Sequence, residues 1–292
     1  MLCRPALLGL SMSLVAVHSY SQADDKTNAD AFRTGSQGGQ EFPLLLGEGF
    51  TRAVRSWDLA LVGLVGLSFS RPEDANDKIG MRPLGVDQEI SRSFSSNDKS
   101  LGSRVKPNAV AAHIFLGQLG VTAFLDLATD TRITSLDYER SFVFAKTVLY
   151  TFSITEITKN VTSRTRPDGS DDRAFFSGHA SSSFAMSAYV YREFNHWVDG
   201  MTFARRSSAV TSLLKGTSFA ACYGWATYVG YSRIHDRKHY LSDVVVGAAV
   251  GTVIGNLMYD WHFGTRAADD ESSWQITLRP SSQPMVGLAY HF

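Results

Sequence analysis

Excess charge is the first thing this sequence lacks: 28 lysines and arginines face 28 aspartates and glutamates across 292 residues. A neutral chain has no global attraction for nucleic acid or for an anionic surface, so any anion it holds must be held locally. Cysteine is nearly absent. Of the two, Cys3 lies in an N-terminal stretch that reads as removable, and Cys222 sits in an apolar helical segment. That excludes an internal disulfide framework, and Cys222 reads as a small core residue. There is no internal repeat and no strand–helix alternation, which excludes solenoids and parallel α/β folds. Clean apolar runs of spanning length are scarce too. The two best, residues 109–128 and 241–261, carry His113, Gln118 and Asp126, and Asp243 and Asn256. With a mean hydropathy of −0.09, the chain reads as a soluble helical bundle rather than a polytopic membrane protein.

What is present divides the chain. Residues 1–23 have one positive charge, a short apolar core and small residues at Ser21 and Ala23, as in a secretory signal peptide. Its removal leaves 27 bases against 28 acids. Residues 24–56 read as a polar tail. An apolar stretch follows at 57–69, and a polar stretch at 70–107 is long enough to need short helices or a binding role. Helical patterns then come in series at about 109–128, 139–164, 180–197, 207–230 and 241–259. The expected fold is all-α, a bundle of about six main helices over residues 57–262. Residues 263–292 change character: Trp274, Ile276 and Leu278, then Val286, Leu288, Tyr290 and Phe292 alternate around a Pro/Ser break. That predicts a C-terminal β-hairpin and leaves a membrane-surface contact open.

Three blocks carry chemistry. In "KNVTSRTRP", Lys159 and Arg166 stand seven residues apart, two helical turns, so they share a face, and Pro167 stops the helix. In "FFSGHASSSF", Ser177, Gly178 and His179 open an apolar helix, whose first N–H groups and dipole make an anion cradle. In "SRIHDRKHYLSD", Arg233 offers a forked cation. His239 and Asp243 lie four apart, so a helix beginning near Tyr240 brings the carboxylate to the imidazole and sets its tautomer. Each block alone has an ordinary explanation as a basic helix end, an N-cap or a helix-start aspartate.

Together the blocks read K-x6-R-P, S-G-H and S-R-x5-H-x2-S-D, and over roughly residues 105–262 the chain resembles the type 2 phosphatidic acid phosphatase superfamily. That superfamily holds class A acid phosphatases, lipid phosphatases and vanadium haloperoxidases. The resemblance implies a helical bundle with the blocks meeting at one end, and no metal or other cofactor. It implies that Lys159, Arg166 and Arg233 bind phosphate, with Ser177 and Gly178 as hydroxyl and amide donors. It implies that His239 is the nucleophile, that Asp243 orients it, and that His179 is the general acid. The expected function is an exported, periplasmic acid-phosphatase-like enzyme acting on phosphate monoesters. The alternatives are a membrane-facing lipid phosphatase and, remotely, a vanadate-dependent haloperoxidase. The partner is then a phosphorylated small molecule or a lipid phosphate, and class A relatives suggest an oligomer. Phe176 stands where the family usually has proline, which implies altered loop stiffness. Asp168, Asp171 and Asp172 are expected to face solvent. His235 is expected to be non-functional, while Arg237 and Lys238 are open to a charged headgroup.

Overall fold

The computed structural model describes residues 38–55, 58–70, 78–95, 100–103, 105–129, 133–201, 206–264, 273–279 and 285–291. The signal peptide expected over residues 1–23 lies outside them. The described chain is mostly helical. Its elements are α1 (Gly38–Ala53), α2 (Leu59–Phe69), β1 (Ile79–Gly80), α3 (Gly85–Phe94), α4 (Ser100–Ser103), α5 (Pro107–Ala128), α6 (Ser135–Val161), β2 (Thr162–Ser163), α7 (Gly178–Gly200), α8 (Ser208–His235) and α9 (Leu241–Tyr259).

Local chemistry sets the helix ends. Pro107 opens α5, where its missing N–H is harmless. Thr134 and Asp137 cap α6, with the Thr134 amide donating to the Asp137 carboxylate at 2.9 Å. Ser177 caps α7, accepting from the Ala180 amide at 3.4 Å. The end of α8 is a Schellman turn: Arg237 adopts φ +57°, its N–H donates to Ile234 O, and Lys238 N–H donates to Arg233 O at 3.0 Å.

Three helices make the centre. Val143 and Phe144 of α6, Met186 and Tyr189 of α7, and Tyr259 of α9 share one buried cluster. Helices α7 and α9 come close enough for backbone contact. A methyl group on Gly247 would lie 2.7 Å from Ser177 O, and one on Gly255 would lie 2.5 Å from Ala185 O. A glycine every fourth residue thus lets the two helix starts lie against each other.

The polar tail expected over 24–56 does not hold for Gly38–Ala53. Residues 38–53 form α1, which lies on α6. Phe42, Leu45 and Leu46 pack with Tyr138, Leu125 and Ile133, and Ala53 is buried. The glycines and Pro43 obscure the pattern, but Phe42, Leu46, Gly49 and Ala53 recur at helical spacing. The polar stretch after α2 carries short helices as expected. It is a strap: β1 pairs in parallel with β2 (Ile79↔Thr162, Gly80↔Ser163), and α3 lies against α8 and α9.

Many large apolar side chains stand on the surface. Leu59, Val62 and Phe69 of α2, Leu116 and Phe124 of α5, Leu213 and Phe219 of α8, and Val245 and Val253 of α9 are all exposed. Helix α5 and the stretch Leu241–Gly264 are long and apolar enough to cross a membrane, and 22% and 33% of their apolar windows are buried. Residues 107–125, 216–232 and 244–259 contain no acid, lysine or arginine. At about 1.5 Å per residue they run roughly 24 to 28 Å, close to the hydrocarbon thickness of about 30 Å.

Candidate active site

The three sequence blocks meet at one end of the bundle, where α6 ends and α7 and α9 begin. Two local structures bring them together. First, the chain leaving α6 turns at once. Gly169 N–H donates to Arg166 O at 2.9 Å, closing a turn with Pro167 second and Gly169 fourth. The strand returns beside itself, so Arg164 N–H donates to Asp172 O and Ala174 N–H to Arg164 O. Second, the Schellman turn folds Arg233 back on His239, whose N–H donates to Arg233 O at 3.2 Å. The R-x5-H spacing is therefore a helix ending plus one turn. The Ser177 amide donates to Asp243 O at 3.1 Å, fastening the start of α7 to the start of α9.

His239 is 2% exposed. Its Nδ1 lies 2.7 Å from Ala174 O. A carbonyl only accepts, so Nδ1 carries the proton and Nε2 carries the lone pair. Nε2 lies 3.4 Å from Arg166 Nη1. Burial, then Arg166, Lys159 and Arg233, hold this imidazole well below its ordinary pKa; the Ala174 carbonyl opposes them less strongly. His179, the second residue of α7, is pushed down to about 3, first by burial and then by Arg233, His239, Lys159 and Arg166. Both rings lie at the polar end, outside the two segments apolar enough to cross a membrane. The surroundings thus lower both imidazoles and favour their neutral forms at pH 7.

Asp243 is placed differently from expectation. Its Oδ2 lies 3.8 Å from His239 Nδ1, beyond a hydrogen bond. That oxygen accepts the Tyr240 amide at 2.8 Å, closing the cap of α9. Its other oxygen pairs with Arg164. The Ala174 carbonyl occupies the place the carboxylate was expected to take.

The cations are also held. Lys159 Nζ pairs with Glu156 at 3.2 Å, and Glu156 pairs in turn with Arg173 at 2.8 Å. Arg166 pairs with Asp171 at 2.6 Å, and Arg233 stands 3.9 Å from Asp236. The acids expected to face solvent therefore hold partners. Asp171 orients Arg166, Asp172 pairs with Lys78 at 3.0 Å, and Asp168 pairs with Lys238 at 2.6 Å. Burial opposes ionisation of Asp168, but hydrogen bonds from Lys238 and Ser170 outweigh it and hold the carboxyl below its usual range. Lys238 is thus engaged, while Arg237 is exposed. His235 lies 3.2 Å from Asp236. Phe176 is buried.

A cleft of about 380 Å³ opens on this corner. Lys159, Gly178 and His179 line it with Glu156, Thr155 and Phe152 of α6, Ser182 of α7 and Lys106–Ala109 at the start of α5. His239, Arg166, Arg233 and Ser177 are not on its wall. At Gly178 a methyl group would stand 3.1 Å from Lys159 Nζ, so the missing side chain leaves the lysine beside the helix start.

Sequence reasoning missed Arg164, Glu156 and Asp87. Arg164 had a signal, since "SRTRP" holds two arginines and only the second was used. Glu156 had the i,i+3 spacing to Lys159. Asp87 had none. It lies 77 residues from Arg164 in the chain and reaches it only through the strap.

Residues 140–267 match the PAP2 superfamily. A lipid A 1-phosphatase from Porphyromonas gingivalis is 33% identical over 96 residues, which is 33% of this chain and 18% of that protein. Phospholipid phosphatase 2 from Bos taurus is 37% identical over 84 residues, 29% of this chain and 26% of that protein. The chain thus aligns with about a fifth to a quarter of the length of these relatives. No solved structure matches.

Proposed function

Since residues 140–267 form a PAP2 superfamily domain, we propose that the chain is a phosphatase. In this reading it hydrolyses a phosphate monoester through a phosphohistidine on His239, and its substrate is a lipid phosphate met at a membrane surface. The observation that carries the chemistry is a neutral His239, its tautomer set by a carbonyl, beside Arg166 and near His179, Lys159 and Arg233. Lys159, Arg166 and Arg233 hold the phosphate oxygens. The Gly178 amide and the Ser177 hydroxyl add donors at the start of α7, where the dipole favours an anion. Such pre-set donors act on the charge spread over the phosphoryl oxygens, and they do it without reorganising.

The lone pair on Nε2 attacks phosphorus. The phosphorus–oxygen ester bond breaks with its electron pair, and that oxygen takes the proton of protonated His179. Water then attacks the phosphohistidine. His179 accepts its proton, and the nitrogen–phosphorus electrons return to Nε2. Burial and the neighbouring cations hold His179 down to about 3, so its proton arrives with the substrate, whose negative charge offsets those cations. Asp243 acts in this reading on Arg164 and the cap of α9, and the Ala174 carbonyl orients the nucleophile.

The outward apolar faces of α5, α8 and α9 favour the lipid over a soluble ester, because water-exposed leucine, valine and phenylalanine at this density mark a membrane contact. Lipid A and phospholipid are what the names of the two relatives specify. The first expectation, a soluble acid phosphatase, becomes the second arm of the test. Export with residues 1–23 as signal, the domain over 57–262 and the C-terminal hairpin over 263–292 stay part of the proposal. Antiparallel pairing of Ser273–Arg279 with Met285–His291 supports the hairpin.

The test is phosphate release by the full chain in detergent micelles, with EDTA present. Short-chain phosphatidate and p-nitrophenyl phosphate are compared, with His239→Ala as control. Turnover of phosphatidate that His239→Ala abolishes is expected. Turnover of the soluble ester alone would overturn the lipid reading. Activity surviving in His239→Ala would overturn the nucleophile. Bromide oxidation by peroxide with added vanadate would mark the haloperoxidase branch.

A further inference from the structure

The strap between α2 and α5 delivers a buried carboxylate to the back of the site. Asp87, on α3, is 1% exposed and accepts four hydrogen bonds. Two come from Ser242, from its amide at 3.0 Å and its hydroxyl at 2.7 Å. One comes from the Leu84 amide at 3.0 Å, and one from Arg164 Nη2 at 2.7 Å. The Arg164 guanidinium is buried as well, over the Tyr240 ring at 4.8 Å. Its Nη1 reaches Ser242 Oγ at 2.9 Å and Asp243. Its backbone carbonyl accepts from Ala174 N at 3.0 Å, and Ala174 O is the group that takes His239 Nδ1.

We propose that Asp87 is a positioning residue for phosphoryl transfer: it holds Arg164 and the start of α9, and through them the carbonyl that sets the tautomer of His239. The proposal rests on the phosphatase reading above. Two arguments favour positioning over plain stability. A buried ion cluster is seldom more stable than an apolar replacement, so its retention calls for a geometric reason. And both routes from Asp87 end at His239. One runs through Ser242, three residues along the chain. The other runs through Arg164 and Ala174. By binding Arg164, Asp87 also keeps Arg164 between itself and Asp243, so Asp243 stays with the cap of α9 and 3.8 Å from the ring.

The test uses the full chain with Asp87→Asn, which keeps the volume but turns a donor toward Arg164 or Ser242. Two quantities are read: kcat and KM on short-chain phosphatidate, and the His239 tautomer by 15N NMR of histidine-labelled protein, assigned with His239→Gln. The expected result is a kcat lowered on the order of 10- to 100-fold, the scale of a small misplacement of a reacting group. KM should stay within about threefold while His239 loses its single Nδ1–H form. If Asp87→Asn does not fold, Arg164→Lys replaces it, keeping the charge but losing the fork that bridges Asp87 and Asp243, with the same expectation. Unchanged kcat and an unchanged His239 signal in a folded variant would overturn the proposal. If the wild type turns over no phosphate ester, the phosphatase reading fails instead. The tautomer then still decides: its loss in Asp87→Asn supports the positioning role, and its persistence overturns it.

Discussion

Two lysines on one helix are held in contrasting ways. Lys146 and Lys159 are thirteen residues apart on α6, about 20 Å along its axis, and both are largely buried. Lys146 is enclosed by partners: Nζ donates to Ala53 O at 2.7 Å and to Asp58 at 2.8 Å, and Tyr150 holds the other Asp58 oxygen at 2.9 Å. That cluster closes the break between α1 and α2, where unpaired backbone would otherwise be buried. Among the described residues Lys159 makes one hydrogen bond, to Glu156 at 3.2 Å, and it lies on the cleft beside Gly178. Burial pulls both ammonium groups below their ordinary pKa, against the pull of Asp58 and Glu156 respectively. The difference is in how completely each is satisfied. Lys146 is tied to a carbonyl and to a carboxylate that Tyr150 also holds, whereas Lys159 is tied to one carboxylate at the edge of the cleft.

Breaking that comparison gives the largest effects. Lys146→Met leaves Asp58 as a buried carboxylate without its cation. It should cost about 3–5 kcal/mol of stability, read as a lowered unfolding midpoint in denaturant, and the protein that remains folded should keep its kcat. Lys159→Met should do the reverse. Removing one phosphate donor should lower kcat by roughly 10²–10³-fold with the unfolding midpoint held or raised. If the two variants behave alike, the division into structural and anion-binding lysine is wrong.

Proton linkage sharpens it further. His179 and His239 have folded pKa values below the unfolded value of about 6.5. Below pH 6.5 the unfolded chain therefore binds protons that the folded chain refuses. The contribution is fully present above about 6.5 and is lost as pH falls toward the folded values. Thermal unfolding from pH 8 to 4 should show this loss, and inorganic phosphate should lessen it by letting His179 hold its proton in the folded state. A melting temperature insensitive to phosphate at pH 5 would count against an anion site at this corner. The smallest effect belongs to Arg237, exposed and left-handed at the end of α8. Arg237→Gly should stabilise by roughly 0.5–1 kcal/mol without altering turnover, measured by chemical denaturation and by phosphate release.

Much of the fold was legible because helix signals are local. The main helices fall within a few residues of their expected positions. The largest differences have chemical causes: Thr134 and Asp137 start α6 four residues early, and α8 runs on through Arg233 to the Schellman turn. Helix α1 was not legible, because Pro43 and four glycines outweigh four apolar contacts that only α6 makes worthwhile. The two apolar segments were hard to place for a related reason. Polar residues in the apolar segments looked like evidence for water, whereas Asp126 is satisfied by Tyr138 at 2.9 Å and Asp243 by Arg164 and Tyr240 N–H. In the site, the three blocks that hold Lys159, Arg166, Ser177, Gly178, His179, Arg233 and His239 come together at one end of the bundle, while His239 Nδ1 donates to Ala174 O and Asp243 lies 3.8 Å away.

By itself the sequence determined which groups meet, because caps, turns and helix periods act over a few residues and the three blocks each sit at such an end. Only the tertiary structure decided which atoms each group contacts there. A carbonyl from the returning strand displaces Asp243 from His239, Asp171 and Glu156 set the angles of the cations, and Asp87 arrives from a strap with no local signal. Hydrogen bonds reach only about 3 Å, so a role depends on which atom is within that distance. That is settled by packing between elements far apart in the chain.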